Sequence, residues 1–350
     1  MKKTEFYFDS RDGKTKIHAV RYEPDLPVGT AQDAAVLQPV AVLQPVAVLQ
    51  PVAVLQPVAV LQPVAVLQVI HGMAEYVERY EEFASFMTQN GFVVTGEDHL
   101  GHGKSISENG IPGYFCENDP ATVVVRDVHR LKKMTQQLYP GVPYFILGHS
   151  MGSFILRNYL YRYGKGIDGA VIMGTGMQPK ALVKVSKVLA GVNRLFRKDT
   201  SRAQLINKLA FGNYNKKIEN PQSPNAWLSR NTENVGKYDG DPMCGFTFTV
   251  NGFRTLFELI SRIQDKNNLS QIPSELPVYM VSGSEDPVGE YEKGVKRAYD
   301  SLKAAGLKNI TLKFYESDRH EILNEDDRDQ IMQDILRWIL EQRPADNQTK

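Results

Sequence analysis

The spacing of apolar and polar positions changes several times along the chain, and the changes mark its elements. Glu5 to Phe8 and Lys16 to Tyr22 alternate around Ser10-Arg11-Asp12-Gly13, whose Asp-Gly pair marks a turn, so the N-terminus reads as an antiparallel hairpin. Tyr80, Phe83, Phe86 and Met87 fall at helical spacing that ends at Asn90-Gly91, and Val123 to Leu138 forms a second amphipathic helix. Short apolar runs stand between these helices: Phe92 to Thr95, Tyr144 to Leu147, Gly169 to Met173. Strands that alternate with helices predict an α/β protein with a mainly parallel sheet and helices on both faces. The alternation stops at about Gln178, and the chain stays helical and loop-rich to Asn251. It then resumes with a helix (Phe253 to Ile263), a strand (Pro277 to Val281), a helix (Tyr291 to Ala305), a strand (Ile310 to Tyr315) and a helix (Arg328 to Gln342). The expected organisation is a core built from residues 1–177 and 252–350, with 178–251 inserted over the sheet edge as a helical lid.

One tract follows neither period. From Ala35 the hexad AVLQPV occurs five times in succession, to Val64, and a truncated AVLQ leads into Val69-Ile70-His71-Gly72. Proline at every sixth position excludes a continuous helix and a central strand. Only the final copy, VAVLQVIHG, is free of proline for long enough to form a buried strand. Residues 35–64 are therefore expected to be an exposed insertion whose prolines restrain the β-prone VAVL windows from aggregating.

Composition narrows the class. In 350 residues, 42% hydrophobic content supports a sizeable core, and a net charge of +1 gives no global field toward nucleic acid. Two cysteines, Cys116 and Cys244, provide neither a disulfide framework nor metal-ligand spacing and fit a reduced, cytoplasmic setting. The basic start MKKTEFYFDSRDG is not followed by an apolar signal core, and no apolar run reaches the roughly 18 residues a membrane span needs.

The chemistry centres on Tyr144 to Gly152, YFILGHSMG, where an apolar strand runs into G-x-S-x-G and then a helix. Such an elbow needs small neighbours because it is strained and the strand and helix backbones pass close together. It presents Ser150 as a nucleophile and the Met151 N–H as half of an oxyanion hole. The Met73 N–H, in the turn after His71-Gly72, is the candidate second donor. Asp286 and His320 each follow a strand on the same edge, in the order Ser150, Asp286, His320. His320 would take the serine proton and Asp286 would hold the imidazole tautomer. Glu285, Asp318 and Glu321 adjoin these positions as rival carboxylates, and His18, His71, His99, His102, His129 and His149 are read as structural. His99 and His102, three apart in Asp98-His99-Leu100-Gly101-His102-Gly103-Lys104-Ser105, lack an evident third ligand, so neither a metal nor another cofactor is expected.

HGMAEYVERY, DHLGHGKS, GHSMGS, SGSEDPVG and RHEILNE together resemble the monoacylglycerol lipase and lysophospholipase branch of the α/β-hydrolases, related to the serine aminopeptidases. The resemblance covers nearly all of the chain except the hexads, which that family's pattern lacks. It implies an α/β-hydrolase fold and a serine hydrolase of single-chain acyl esters, with Ser150, Asp286 and His320 as triad and the Met73 and Met151 amides as oxyanion hole. Two alternatives stand beside it: an aminopeptidase of the related branch, and an interaction protein with a vestigial hydrolase fold. An aminopeptidase needs an acidic cluster in the lid, whereas Ala181 to Lys198 is basic and apolar. There Leu182, Val185, Leu189, Val192 and Phe196 share a helical face beside Lys180, Lys184, Lys187, Arg194, Arg197 and Lys198. That face is expected either to pack on the protein's own core or to touch lipid aggregates.

Loop-closure entropy grows by only about 0.6 kcal/mol per doubling of length. Deleting Ala35 to Val64 should therefore leave esterase activity and melting temperature near those of the full chain. Loss of folding would show that the repeats belong to the structure.

Overall fold

A computed structural model of the chain describes residues 1–25 and 62–343. The expectation for the hexads falls outside these residues except at Gln62 to Val64. Eight strands form one sheet: β1 (Lys2–Asp9), β2 (Lys16–Glu23), β3 (Val66–Ile70), β4 (Val93–Glu97), β5 (Tyr144–His149), β6 (Gly169–Met173), β7 (Val278–Gly283) and β8 (Ile310–Tyr315), in the order β1-β2-β4-β3-β5-β6-β7-β8. The expected hairpin is β1 and β2, antiparallel to each other, with β2 antiparallel to β4. All other pairings are parallel.

Every residue of β3 to β7 is buried, as strands covered on both faces require. Their period of two divides the apolar side chains between two cores. Val66, Ile70, Ile146 and Ile172 meet α2 (Pro120–Leu138) and α3 (Met151–Tyr163), while Leu67, Val69, Phe145 and Leu147 belong with α1 (Glu81–Gln89) and the C-terminal helix (Arg328–Glu341). Each such side chain contributes about 1.5–3 kcal/mol by leaving water. Gln68 shares the α2 face of β3 and stays satisfied by donating to Val128 O at 3.0 Å and accepting from the Tyr144 hydroxyl at 2.7 Å.

The chain runs from β3 outward to β4, crosses back over β3 to β5, and continues to β8. Its direction thus reverses between β3 and β5, and open α/β sheets bind ligands at such a point, beyond the carboxyl ends of the strands.

Between β6 and α7 (Val250–Arg262) lies a helical insertion with α4 (Lys180–Phe196), α5 (Gln204–Phe211) and α6 (Thr232–Gly240). Helix α4 packs along α7, with Val183 buried and Lys187 Nζ 2.8 Å from Glu258. Val183 faces the core, and Lys187, one turn on, is exposed beside α7. Val185 and Val192, placed together on the apolar face, are 54% and 45% exposed, as is Val188 at 63%. The expectation for Leu182, Leu189 and Phe196 falls outside the described side chains.

Two boundaries differ from the sequence pattern. A one-turn helix, α8 (Lys266–Leu269), capped by the Asp265 carboxylate, follows α7 and was too short to show a period. Helix α9 (Lys293–Ala304) starts two residues later than expected. Glu290, Tyr291 and Glu292 have φ of 52°, 52° and 72°, outside the helical region, and the Tyr291 N–H turns back to donate to Asp286 O at 2.9 Å. No helix among the described residues is long and apolar enough to cross a membrane.

Val64, in the last complete hexad, is buried, and its N–H donates to Gly91 O at 2.9 Å. Removing four copies (Ala41 to Val64) leaves Pro39-Val40 in the place of Pro63-Val64, whereas removing all five places Ala34 there. The five-copy deletion should therefore be the less stable by roughly 1–2 kcal/mol in urea titrations, the cost of trimming a buried valine to alanine. Equal stabilities would contradict a role for Val64 in the core.

Candidate active site

Strand β5 ends at His149 and α3 begins at Met151, leaving Ser150 between them at φ 55° and ψ −121°. A non-glycine residue there is strained and persists only when its surroundings over-determine it. Ser150 N–H donates to Met173 O at 3.0 Å, and Ser150 O accepts from Ser153 N–H at 2.9 Å and the Ser153 hydroxyl at 2.5 Å. The flanking glycines are required by space: a β-carbon on Gly152 would collide with Ile70 O in β3, and one on Gly148 with Gly152 O. Met151 N–H opens a helix and has no acceptor one turn earlier.

Asp286 follows β7 and is fully buried. Its Oδ1 accepts Val288 N–H at 2.8 Å and its Oδ2 lies 2.9 Å from His320 Nδ1. With Nδ1–H given to the carboxylate, Nε2 is the nitrogen left to accept a proton. His320 follows β8, is 2% exposed, and lines one cavity of about 690 Å³ together with Ser150, Met73 and Met151. The lining also includes the apolar side chains of Phe154, Ile206, Phe211, Leu256 and Ile260.

The turn after β3 is pinned at both ends of one residue. Glu75 Oε1 accepts Gly72 N–H at 2.5 Å, and His71 Nδ1–H donates to Gly72 O at 2.8 Å while His71 Nε2 accepts His99 N–H at 3.0 Å. In a trans peptide the N–H opposes the C=O, so fixing Gly72 O fixes the direction of Met73 N–H. His71 is thereby a neutral tautomer, and burial holds its pKa below the ordinary value.

His149 has a different set of partners. Its Nε2–H donates to His320 O at 3.1 Å, and its Nδ1 lies 2.8 Å from the Tyr80 hydroxyl and 3.4 Å from Glu75 Oε1, which is itself 2.9 Å from that hydroxyl. A positive charge on His149 is favoured by the Glu75 carboxylate beside it. Burial opposes this, but the hydrogen bond and charge of Glu75 outweigh it and raise the His149 pKa. Glu75 is correspondingly lowered, its own burial overcome by His149 and Arg79. Arg79 donates to Glu75 at 2.7 Å and to both oxygens of Glu321 at 2.7 and 2.8 Å, and its guanidinium lies 4.9 Å from the Tyr238 ring in α6.

The rival carboxylates have other partners or none nearby: Glu321 is held by Arg79, Asp318 by Arg230, and Glu285 is exposed, 4.0 Å from Arg319. Among the other histidines, His18 bonds Asp98 at 2.8 Å and His129 stacks on Tyr163 at 3.8 Å. His99 Nε2 donates to His71 O at 3.3 Å and His102 Nδ1 to Leu100 O at 3.0 Å, bracing the pinned turn from behind. No metal-holding group of three or more such side chains occurs among the described residues. The Glu75, Arg79, Glu321 and His149 network was not read from the sequence. The rule that could have found it is that a charged residue beside an active-site motif needs a partner once buried.

Among known proteins, the serine aminopeptidase S33 family matches residues 61–327. Human monoglyceride lipase is 28% identical over 280 residues, covering 77% of this chain and 80% of that protein. The monoacylglycerol lipase of Mycolicibacterium smegmatis is 28% identical over 276 residues, covering 77% and 86%. A thermostable carboxyl esterase from Bacillus coagulans, solved with glycerol, superposes with a TM-score of 0.80 at 28% identity, covering 97% of this chain and 98% of its own.

Burial pushes the His102 pKa down to about 3, against about 6.5 in an unfolded chain. A depressed histidine contributes stability above pH 6.5 that is lost as pH falls toward 3. The stability advantage of the wild type over His102→Asn should shrink by about 1.4 kcal/mol per pH unit between pH 6 and 4 in denaturant titrations. A constant difference would show that His102 takes up its proton in the folded state.

Proposed function

The chain belongs to the serine aminopeptidase S33 family, with an α/β-hydrolase fold, and we propose that it hydrolyses carboxylic esters of single-chain, monoacylglycerol-type lipids through an acyl-enzyme on Ser150. The observation that carries this reading is Ser150, strained at the elbow, in one cavity with the Asp286-bonded His320 and apolar lining side chains suited to an acyl chain. In this reading His320 Nε2 takes the Ser150 proton as the hydroxyl attacks the ester carbonyl. The Met73 and Met151 N–H groups receive the oxyanion, and His320 returns the proton to the leaving alcohol. Water then repeats the sequence on the acyl-enzyme, with Asp286 holding the ring and its positive charge throughout. The family's naming as aminopeptidases and the relatives' naming as lipases leave two leaving groups to weigh.

The cavity's polar lining favours a neutral polyol. Glu75 and Glu321 line it, but their charges are engaged by Arg79 and His149, so neither is free to hold a substrate amine. The described lining offers a phosphate no buried, unpaired cation, since Lys208 is exposed on α5. The Bacillus coagulans esterase was solved in complex with glycerol, a polyol of this class.

Residues 178–251 serve in this reading as a lid on a core formed by 1–177 and 252–350. Val188 and Val192 of α4 and Leu205 of α5 are exposed, as are Val185 and Leu209, which also line the cavity; together they are five of the nine exposed large apolar side chains among the described residues. Such a concentration suits transient contact with lipid aggregates. The two cysteines are free and buried, in keeping with a reduced cytoplasm.

A panel of monoacylglycerols, lysophosphatidylcholine and aminoacyl p-nitroanilides tests the substrate class. Monoacylglycerol turnover should exceed the other two by at least tenfold and fall by several orders of magnitude in Ser150→Ala; faster anilide hydrolysis would support the aminopeptidase instead. Val188→Glu with Leu205→Glu should weaken vesicle binding and slow hydrolysis of long-chain monoacylglycerol while leaving p-nitrophenyl acetate hydrolysis unchanged. Unaltered vesicle binding would remove lipid contact from the account.

A further inference from the structure

His320 has two aromatic neighbours. The His149 ring has its centroid 4.7 Å away, and Trp227 of the insertion lies at 5.1 Å with an interplanar angle of 42°. The two segments are tied at paired positions. Glu321 N–H donates to Leu228 O at 2.7 Å, and Arg319 Nη1 donates to Ala226 O at 2.9 Å and Ser229 O at 3.1 Å. The residues flanking His320 thus bond the residues flanking Trp227. Further along, Arg230 N–H donates to Glu325 at 2.9 Å and the Ser229 hydroxyl to the same carboxylate at 2.9 Å. The Tyr214 ring packs edge-on against the indole at 4.9 Å, and the Trp227 backbone N–H donates to Asn215 Oδ1 at 2.9 Å. These contacts hold the segment that carries the indole beside the imidazole.

We propose that Trp227 is a positioning residue for His320, its indole stabilising the doubly protonated imidazole that forms when Ser150 loses its proton. A cation within about 6 Å of an indole centroid is attracted to the ring, more strongly where water is excluded. The groups facing His320 make this attraction useful. Asp286 favours the second proton through Nδ1, whereas positive charge on the neighbouring His149 ring would oppose it, screened in part by Glu75. Glu321 is neutralised by Arg79, and Tyr214 packs against the indole. Because the indole comes from the insertion, docking of that segment is part of assembling the acid–base machinery. The inference rests on Ser150 and His320 acting as proposed above.

Trp227→Phe and Trp227→Leu separate the ring from its bulk, since both fill the space and only phenylalanine keeps a π face. Hydrolysis of p-nitrophenyl acetate is measured from pH 4 to 9, beside Ser150→Ala and with thermal melts to confirm folding. For Trp227→Leu, kcat should fall roughly three- to tenfold with KM within a factor of two, and the midpoint of the acid limb of kcat/KM should move down by about 0.5–1 pH unit. Trp227→Phe should restore most of both. An unmoved midpoint in folded Trp227→Leu, an equal effect in Trp227→Phe, or a loss confined to KM would each overturn the proposal. Activity surviving in Ser150→Ala would overturn the nucleophile assignment beneath it, which is a different result.

Discussion

The carboxyl edge of the sheet depends on one close approach, the first turn of α3 lying against the Ile70 carbonyl of β3. Only glycine at position 152 permits it, and it forces Ser150 into its positive-φ turn between β5 and the helix. Because β3 and β5 are neighbours through the topological reversal, this contact brings the turn that follows β3 beside the serine. The Met73 and Met151 amides then belong to adjacent strand ends. The strain is offset by ordinary means: a hydrogen bond to Met173 O on β6, the Ser153 bonds, and strands buried on both faces around it.

A second constraint is electrostatic. Glu75, Arg79, Glu321 and His149 are all largely buried, so each must be compensated. Arg79 bonds both glutamates, and Glu75 also lies 3.4 Å from the His149 ring, whose pKa it raises, and accepts Gly72 N–H. This one cluster joins the turn after β3, the elbow and the His320 loop, and through Asn234 and Tyr238 it reaches α6. Removing one member would leave a buried charge unpaired, costing about 3–5 kcal/mol. The geometry of the edge is thus held by groups that take no part in the proposed chemistry.

The hairpin, the parallel strands and the elbow were legible in the sequence because each has a local period or a motif. Val66 to Ile70 stood out as the proline-free copy of the hexad, and Asp286 and His320 stood out as polar residues just beyond apolar strands. Other features arise from contacts between distant residues and leave no local trace. Arg79 and Glu321 are 242 positions apart, and Trp227 gains meaning only when the insertion folds onto the His320 loop. The α4 pattern was read correctly as amphipathic, but the period does not say which row faces the core. Val183 takes the inner side, while Val185 is exposed where it lines the cavity and Val192 is exposed. The late start of α9 has a similar origin. Tyr291 N–H bonds Asp286 O, and that tertiary contact overrides the helical propensity of residues 290–292.

The account turns on Ser150 carrying the acyl group, and mapping that adduct is the most direct measurement. The protein is mixed with a p-nitrophenyl ester, quenched in acid within the pre-steady-state burst, digested and examined by mass spectrometry. The account predicts one acyl mass increment on the peptide containing Ser150, and none on the same peptide of Ser150→Ala. Steady turnover with an adduct on another residue, or with no adduct at all, would contradict it.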